Sequence, residues 1–329
     1  MFQRQLAAIG ILAGGLVVFA ACGGGGGDGG GGPGSGDPVI AKATGNNGNG
    51  QSGTVGQALT DSFRVVVTQD GSAKAGVTVS WTSLAQGVSL SPTSTVTDAQ
   101  GRAATRMTAG TQAGSQTAKA SLGSANTVFA VTIAAGPPAN LGISSGDNQA
   151  ALVNTAAQFP LKVQVTDQFA NVLAGSPVAW SLASGSGSVT PSTLTDAGGL
   201  AATTLTVGGS AEALVIRAVS AGNDTVLFTA HSVTFVKDVL VKNNFFLSGS
   251  NGSAAPSVDT VSVGEGVRWI WQPGAADHNI IPQGSPLFQG ISGSISAPFT
   301  FGPAFFGSPG TYHYDCNLHA GMSGIVVVE

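Results

Sequence analysis

Near its C-terminus the sequence places a thiol, an imidazole and a thioether within seven residues, in the string Tyr312-His313-Tyr314-Asp315-Cys316-Asn317-Leu318-His319-Ala320-Gly321-Met322. A second imidazole, His278, stands 38 residues before the thiol and is followed directly by Asn279. Two His, one Cys and one Met form the ligand set of a type-1 copper centre, a trigonal His and Cys site with a long axial thioether. Thiolate and thioether suit Cu(I), while imidazole tolerates Cu(II). A compact site built from both changes its geometry little when one electron moves. Zinc is an alternative metal, although thioether is a poor zinc ligand. A plainer alternative has Cys316 and Met322 packing in a β-core with the histidines on loops.

These residues need strands to hold them. Two-residue alternation puts Tyr312, Tyr314 and Cys316 on one face, with His313 and Asp315 on the other. His313 is therefore not expected as a ligand. Further strand-like runs are Val239–Lys242, Val258–Val263, Val267–Trp271, Thr311–Asp315 and Gly324–Val328, and no helical period of useful length interrupts them. Both tyrosines, two of the four tryptophans and three of the four histidines lie beyond residue 234, so the composition changes there. Ser248–Pro256 reads as an exposed loop between the first two strands. Gln283–Pro309 reads as a variable segment whose phenylalanines would form an apolar collar around His319.

The pieces Gly264–Trp269, Asp277-His278-Asn279, Pro309–Cys316, the C-x2-H-x2-M loop and the terminal Gly324–Glu329 resemble, in that order, the cupredoxins of the plastocyanin and amicyanin kind. The short loop is closest to amicyanin. The resemblance implies copper held strongly by His278, Cys316 and His319 and weakly by Met322. It also implies that Asn279 ties the two ligand loops together, and that electrons pass at the His319 edge. Asp277 departs from the family, where Pro is common; it is expected to face solvent.

The middle of the chain repeats itself. Phe63–Thr68 matches Leu161–Thr166, Ala75–Trp81 matches Ala174–Trp180, and Thr97–Thr105 matches Thr195–Thr203, at offsets of 98, 99 and 98 residues. Apolar and polar residues alternate in runs bounded by Gly, Asn, Asp and Pro, the mark of half-buried antiparallel strands. A repeat near 100 residues of this kind predicts a β-sandwich. Asp167–Trp180 and Thr195–Gly199 resemble the bacterial Ig-like domains of the invasin and intimin type, and the first copy has a shortened turn at Asp70-Gly71. The resemblance implies stalk or adhesin-like modules without enzymatic activity. Trp81 and Trp180 are expected in the cores. Asp98 and Asp196 are expected to hold turns and not calcium, which needs more oxygen ligands. His231 is expected at the surface.

The N-terminus reads as an export signal over residues 1–21, with one positive charge at Arg4 and a short apolar run. Val18–Cys22 resembles the lipobox of bacterial lipoproteins, which implies lipid on Cys22. The run from Gly23 to Gly36 has almost no side chains to bury and suits a flexible leash. The absence of Asp directly after Cys22 points to the outer membrane or the cell surface.

With 9% charged residues and a net charge of −4, the chain shows no basic run for nucleic acid. Two cysteines make no disulfide framework. No catalytic triad, carboxylate pair or phosphate loop is present. The expectation is an all-β protein with two tandem Ig-like β-sandwiches, residues 37–135 and 136–233, followed by a cupredoxin β-sandwich, residues 235–329. It would be a lipid-tethered copper protein for one-electron transfer, not an enzyme, with a redox partner the sequence does not name. Copper delivery, or adhesion through a surface partner of the Ig-like units with a structural cupredoxin, are the alternatives.

Overall fold

A computed structural model describes residues 36–329. The export signal, Cys22 and all but the last residue of the glycine leash lie outside the described residues. The described chain is all-β, and no helix in it is long and apolar enough to cross a membrane.

Three hydrophobic cores follow one another along the chain. The first gathers Phe63, Val65, Val67, Val79, Trp81 and Phe129 among others. The second gathers Leu161, Val163, Val165, Val178, Trp180 and Phe228. The matched repeats therefore supply matched core positions. Each tryptophan buries its ring and donates its indole N–H to a threonine hydroxyl at 2.8 Å, Trp81 to Thr95 and Trp180 to Thr193. That satisfies the one polar atom of a large apolar side chain. Each core lies between two sheets whose strands pair largely antiparallel. Asp98 accepts the N–H groups of Gln100 and Arg102, and Asp196 those of Gly198 and Leu200, so both aspartates close turns.

The D-x-x-x-N string at Asp167–Asn171 builds the joint between the first two sandwiches. Asp167 is fully buried and accepts N–H groups from Gly136, Phe169 and Asn171. Burial alone would raise its carboxyl, but these hydrogen bonds outweigh that and hold it below the ordinary aspartate range. Asn171 in turn reaches the preceding sandwich, donating to the Thr111 carbonyl and accepting from the Ala113 N–H, each at 2.8 Å. Asp70 has the corresponding role in the first sandwich, accepting the Gly36 N–H at 2.9 Å.

The third core collects Val239, Phe246, Trp269, Trp271, Tyr312, Tyr314, Cys316 and Met322. Its strands are β1 (Val236–Val241), β2 (Phe246–Ser248), β3 (Ser257–Val261), β4 (Gly266–Trp271), β5 (His278–Gln283), β6 (Ile291–Ile295), β7 (Phe299–Phe305), β8 (Gly310–Asp315) and β9 (Ser323–Val328). One sheet has the order β2-β1-β4-β7 and the other β3-β9-β8-β5-β6. Four strands, β2, β5, β6 and β7, were not visible as sequence runs. β6 and β7 occupy the segment expected to be variable, where Gly302 and two prolines break the alternation. The loop after Ser248 is exposed as expected, but Ser248 itself is buried and donates to the Asp259 carboxylate at 2.6 Å.

His231 is a correction. It is half-buried, and its ring stacks on Phe305 of β7 with centroids 3.7 Å apart and 9° between planes. Phe305 belongs to the third sandwich, so His231 sits in the joint between the second and third units. Gln158 adds to that joint: it donates to the Thr300 carbonyl and accepts the Gly302 N–H.

Candidate metal centre

Cys316 follows β8 and His278 opens β5, and these two strands are neighbours in one sheet. The alternation along β8 holds: Tyr312, Tyr314 and Cys316 are buried, while His313 is exposed. Tyr314 fixes the inner face of the strand. Its hydroxyl pairs with Ser257 Oγ at 2.8 Å, and its ring meets Trp269 edge-on with centroids 5.2 Å apart. Burial pushes the Tyr314 phenol well above its usual range, so it stays neutral.

The structure brings His278, Cys316 and His319 together. Cys316 Sγ lies 3.7 Å from His278 Nδ1 and 3.7 Å from His319 Nδ1. One donor atom from each of the three residues lies within 4.8 Å of the other two. A metal bonded at about 2.3 Å to thiolate sulfur and about 2.0 Å to imidazole nitrogen, with about 120° between them, sets those donors about 3.7 Å apart. The residues present fit a single small ion. Met322 is buried in the same core as Cys316, and its carbonyl accepts the Cys316 N–H at 2.9 Å, which closes the ligand loop. His319 N–H donates to the Cys316 carbonyl and Met322 N–H to the His319 carbonyl, each at 3.3 Å, so the loop is a chain of tight turns.

His278 is fully buried. Desolvation first, then the nearby His319, hold it below the usual histidine range, against the opposing pull of Asp277. It is therefore a neutral imidazole at neutral pH, the form a metal ligand requires. His319 is only half-buried and stands beside the exposed Leu318. Asp277 faces solvent and accepts a hydrogen bond from Ser294 Oγ at 2.9 Å.

Asn279 is buried at 1% exposure and spans the two ligand loops. Its amide donates to Asn317 Oδ1 at 2.7 Å and to the Ser292 carbonyl at 3.2 Å, while its oxygen accepts the Asn317 N–H at 3.1 Å. Asn317 is the residue that sequence reasoning missed. The available signal was positional, since one Asn follows His278 and another follows Cys316.

The phenylalanine collar is a second correction. Phe301 and Phe306 are buried in the core, Phe288 stacks on Trp269, Phe299 meets Trp271 edge-on, and Phe305 lies on His231. These rings fill the sandwich and its joint and do not ring His319.

No protein-family model matches the chain. Among solved structures the chain is similar to the adhesin FdeC of Escherichia coli, at 15% identity over 89% of this chain and 96% of that one, with a TM-score of 0.43. It is similar to the D00-D0 domain of intimin at 15% identity, over 59% of this chain and 96% of that one, with a TM-score of 0.31. It is also similar to the purple cupredoxin of Nitrosopumilus maritimus at 25% identity, over 28% of this chain and 98% of that one, with a TM-score of 0.22. The structures it resembles are thus Ig-like adhesin domains over most of the chain and cupredoxins over a smaller stretch.

Proposed function

We propose that this protein is a one-electron carrier of the cell envelope, tethered by lipid at Cys22, in which His278, Cys316 and His319 would hold one copper ion with Met322 as the weak fourth ligand. The observation that carries the reading is the placement of Cys316 Sγ 3.7 Å from the Nδ1 atoms of both histidines. Bound copper supplies the Cu(I)/Cu(II) couple at this ligand set. The chain supplies the rest. Burial of Cys316 and His278 keeps water from both donors. The Met322 carbonyl and the Asn279–Asn317 pair hold the two loops in one arrangement, so the donors need not move with oxidation state. His319, less buried than His278, is the ligand nearest to solvent and the edge for a protein redox partner. The two Ig-like units serve as a stalk.

The test is to load the full chain with Cu(II) and record its visible spectrum and voltammogram. An intense thiolate-to-copper band, reversible reduction, and loss of both in Cys316→Ala support the carrier. A colourless protein that retains only Cu(I) points instead to copper delivery. A chain that takes up no copper leaves adhesion, a reading favoured by the hydrogen-bonded joint at Asn171, which suits a load-bearing stalk.

A further inference from the structure

The chain's charge is unevenly shared. Residues 37–135 carry six Lys or Arg against four Asp or Glu, a net +2, whereas residues 136–233 carry two against five and residues 234–329 three against six, each a net −3. The positive excess of the first sandwich is concentrated on one outer sheet face. Strand Phe63–Gln69 pairs with strand Arg102–Thr108 so that Val66 faces Arg102 and Arg64 faces Ala104. Continuing that register, Arg64 stands between Arg102 and Arg106 on the neighbouring strand, diagonal to each at about 7–8 Å. All three arginines are exposed, while the alternate residues Val65, Ala103, Thr105 and Met107 are buried.

Between them the floor is small. Ala43, Val66 and Ala104 line a cleft of about 410 Å³ whose walls include Arg64, Arg102 and Asn46. Arg64 is held there by a bond from Nη1 to the Asn46 carbonyl at 2.9 Å, which leaves its other donors free. The lining carboxylate, Asp98, is committed to its own turn through Oδ1. Among the described residues the ion pair is Arg268 with Asp238, and none of these three arginines forms one.

The second sandwich serves as an internal control. The repeat offset sets Lys162, Leu200 and Thr204 where the first has Arg64, Arg102 and Arg106. The same fold forms with one basic residue at these positions, so the sandwich does not require the trio. Guanidinium forks match carboxylate, sulfate and phosphate oxygens bidentately. Among the described residues of the first sandwich no large aromatic is exposed, so no platform for stacking bases is offered.

We propose that the Arg64–Arg102–Arg106 face of the first sandwich binds an acidic polysaccharide through its carboxylate or sulfate groups. The inference is independent of the copper reading. The test measures binding of the full chain to immobilised heparin and polygalacturonate across a salt series. Binding at low salt is expected, falling linearly with log salt concentration. Arg64→Ala/Arg102→Ala/Arg106→Ala should weaken it at least tenfold and flatten the salt slope by about 2 to 3, roughly 0.7–0.9 for each of the three contacts removed. Lys162→Ala/Arg217→Ala should leave it unchanged, and thermal melting of both variants checks their fold. Three results overturn the proposal: no binding to either polymer, equal binding by the triple variant, or binding to phosphatidylglycerol vesicles alone. A single Arg64→Lys exchange, which keeps the charge and removes the fork, should weaken binding to both polymers by less than the triple variant does.

Discussion

Asn279→Ala is the sharpest test of how the metal loops are held. The side chain is buried and makes three hydrogen bonds, two with Asn317 and one with the Ser292 carbonyl. Each typically contributes about 0.5–1.5 kcal/mol net. Asn317 and Ser292 are exposed, so water can satisfy the groups left behind and no full desolvation cost is added. The loss should then be about 1.5–4 kcal/mol, lowering the midpoint of the third sandwich by roughly 6–20 °C for a unit of this size. The same bonds hold His278 and Cys316 in register, and loss of such supporting partners costs about 10–100-fold in metal affinity. Calorimetry on the apo chain and copper titration followed by absorbance measure the two effects separately. Asn317→Ala removes one side-chain acceptor but keeps its N–H bond to Asn279, so it should be milder in both assays. Wild-type melting and wild-type copper affinity in Asn279→Ala would refute the coupling of the two loops.

Gly324→Ala should destabilise the third sandwich by about 1–3 kcal/mol or more, because a Cβ there lands on the Tyr314 ring, which is fixed by Ser257 and Trp269; urea melts read it. Burial holds His231 below the usual histidine range, so the unfolded chain binds the extra proton first and stability falls as pH drops below about 6.5. His231→Phe should shrink that dependence in thermal scans from pH 7.5 to 5. Asp167→Ala removes the acceptor for three backbone N–H groups and should cost about 2–4 kcal/mol in the second sandwich, accompanied by faster proteolysis near residues 111–113 and 136.

The sandwiches were legible because their period is short and repeated. Phe63, Val65 and Val67 alternate with polar residues, and Leu161, Val163 and Val165 do the same 98 residues later. The ligand group was legible because its members are chemically rare, with one Cys beyond the N-terminal region and three histidines beyond residue 234. What escaped depends on partners far apart in sequence. β5 begins His278-Asn279-Ile280 with three buried residues in a row, because the first two serve the metal loops while Ile280 enters the core, so no alternation marks it as a strand. β7 carries Gly302 at a positive φ and a register shift opposite Val267–Trp269, which hides its period. His231 gave no local sign of Phe305, 74 residues away, because joints between units obey no periodicity of either strand.

The position of that joint bears on the copper reading. β4 runs from Gly266 to Trp271, and the six residues after Trp271 lead into His278. Gly266 pairs with Phe305, the residue stacked on His231, whereas Trp271 pairs with Phe299 at the other end of the ladder. At about 3.3 Å per residue, β4 alone separates these ends by about 17 Å. Gln158 bonds Thr300 and Gly302 of β7, and Thr300 pairs with Ile270, one residue from Trp271. The joint therefore runs along β7, from Phe305 to Thr300, and none of these contacts uses His319 or Leu318. In the proposed carrier the half-buried His319 would meet its partner at an edge that these joint contacts do not use.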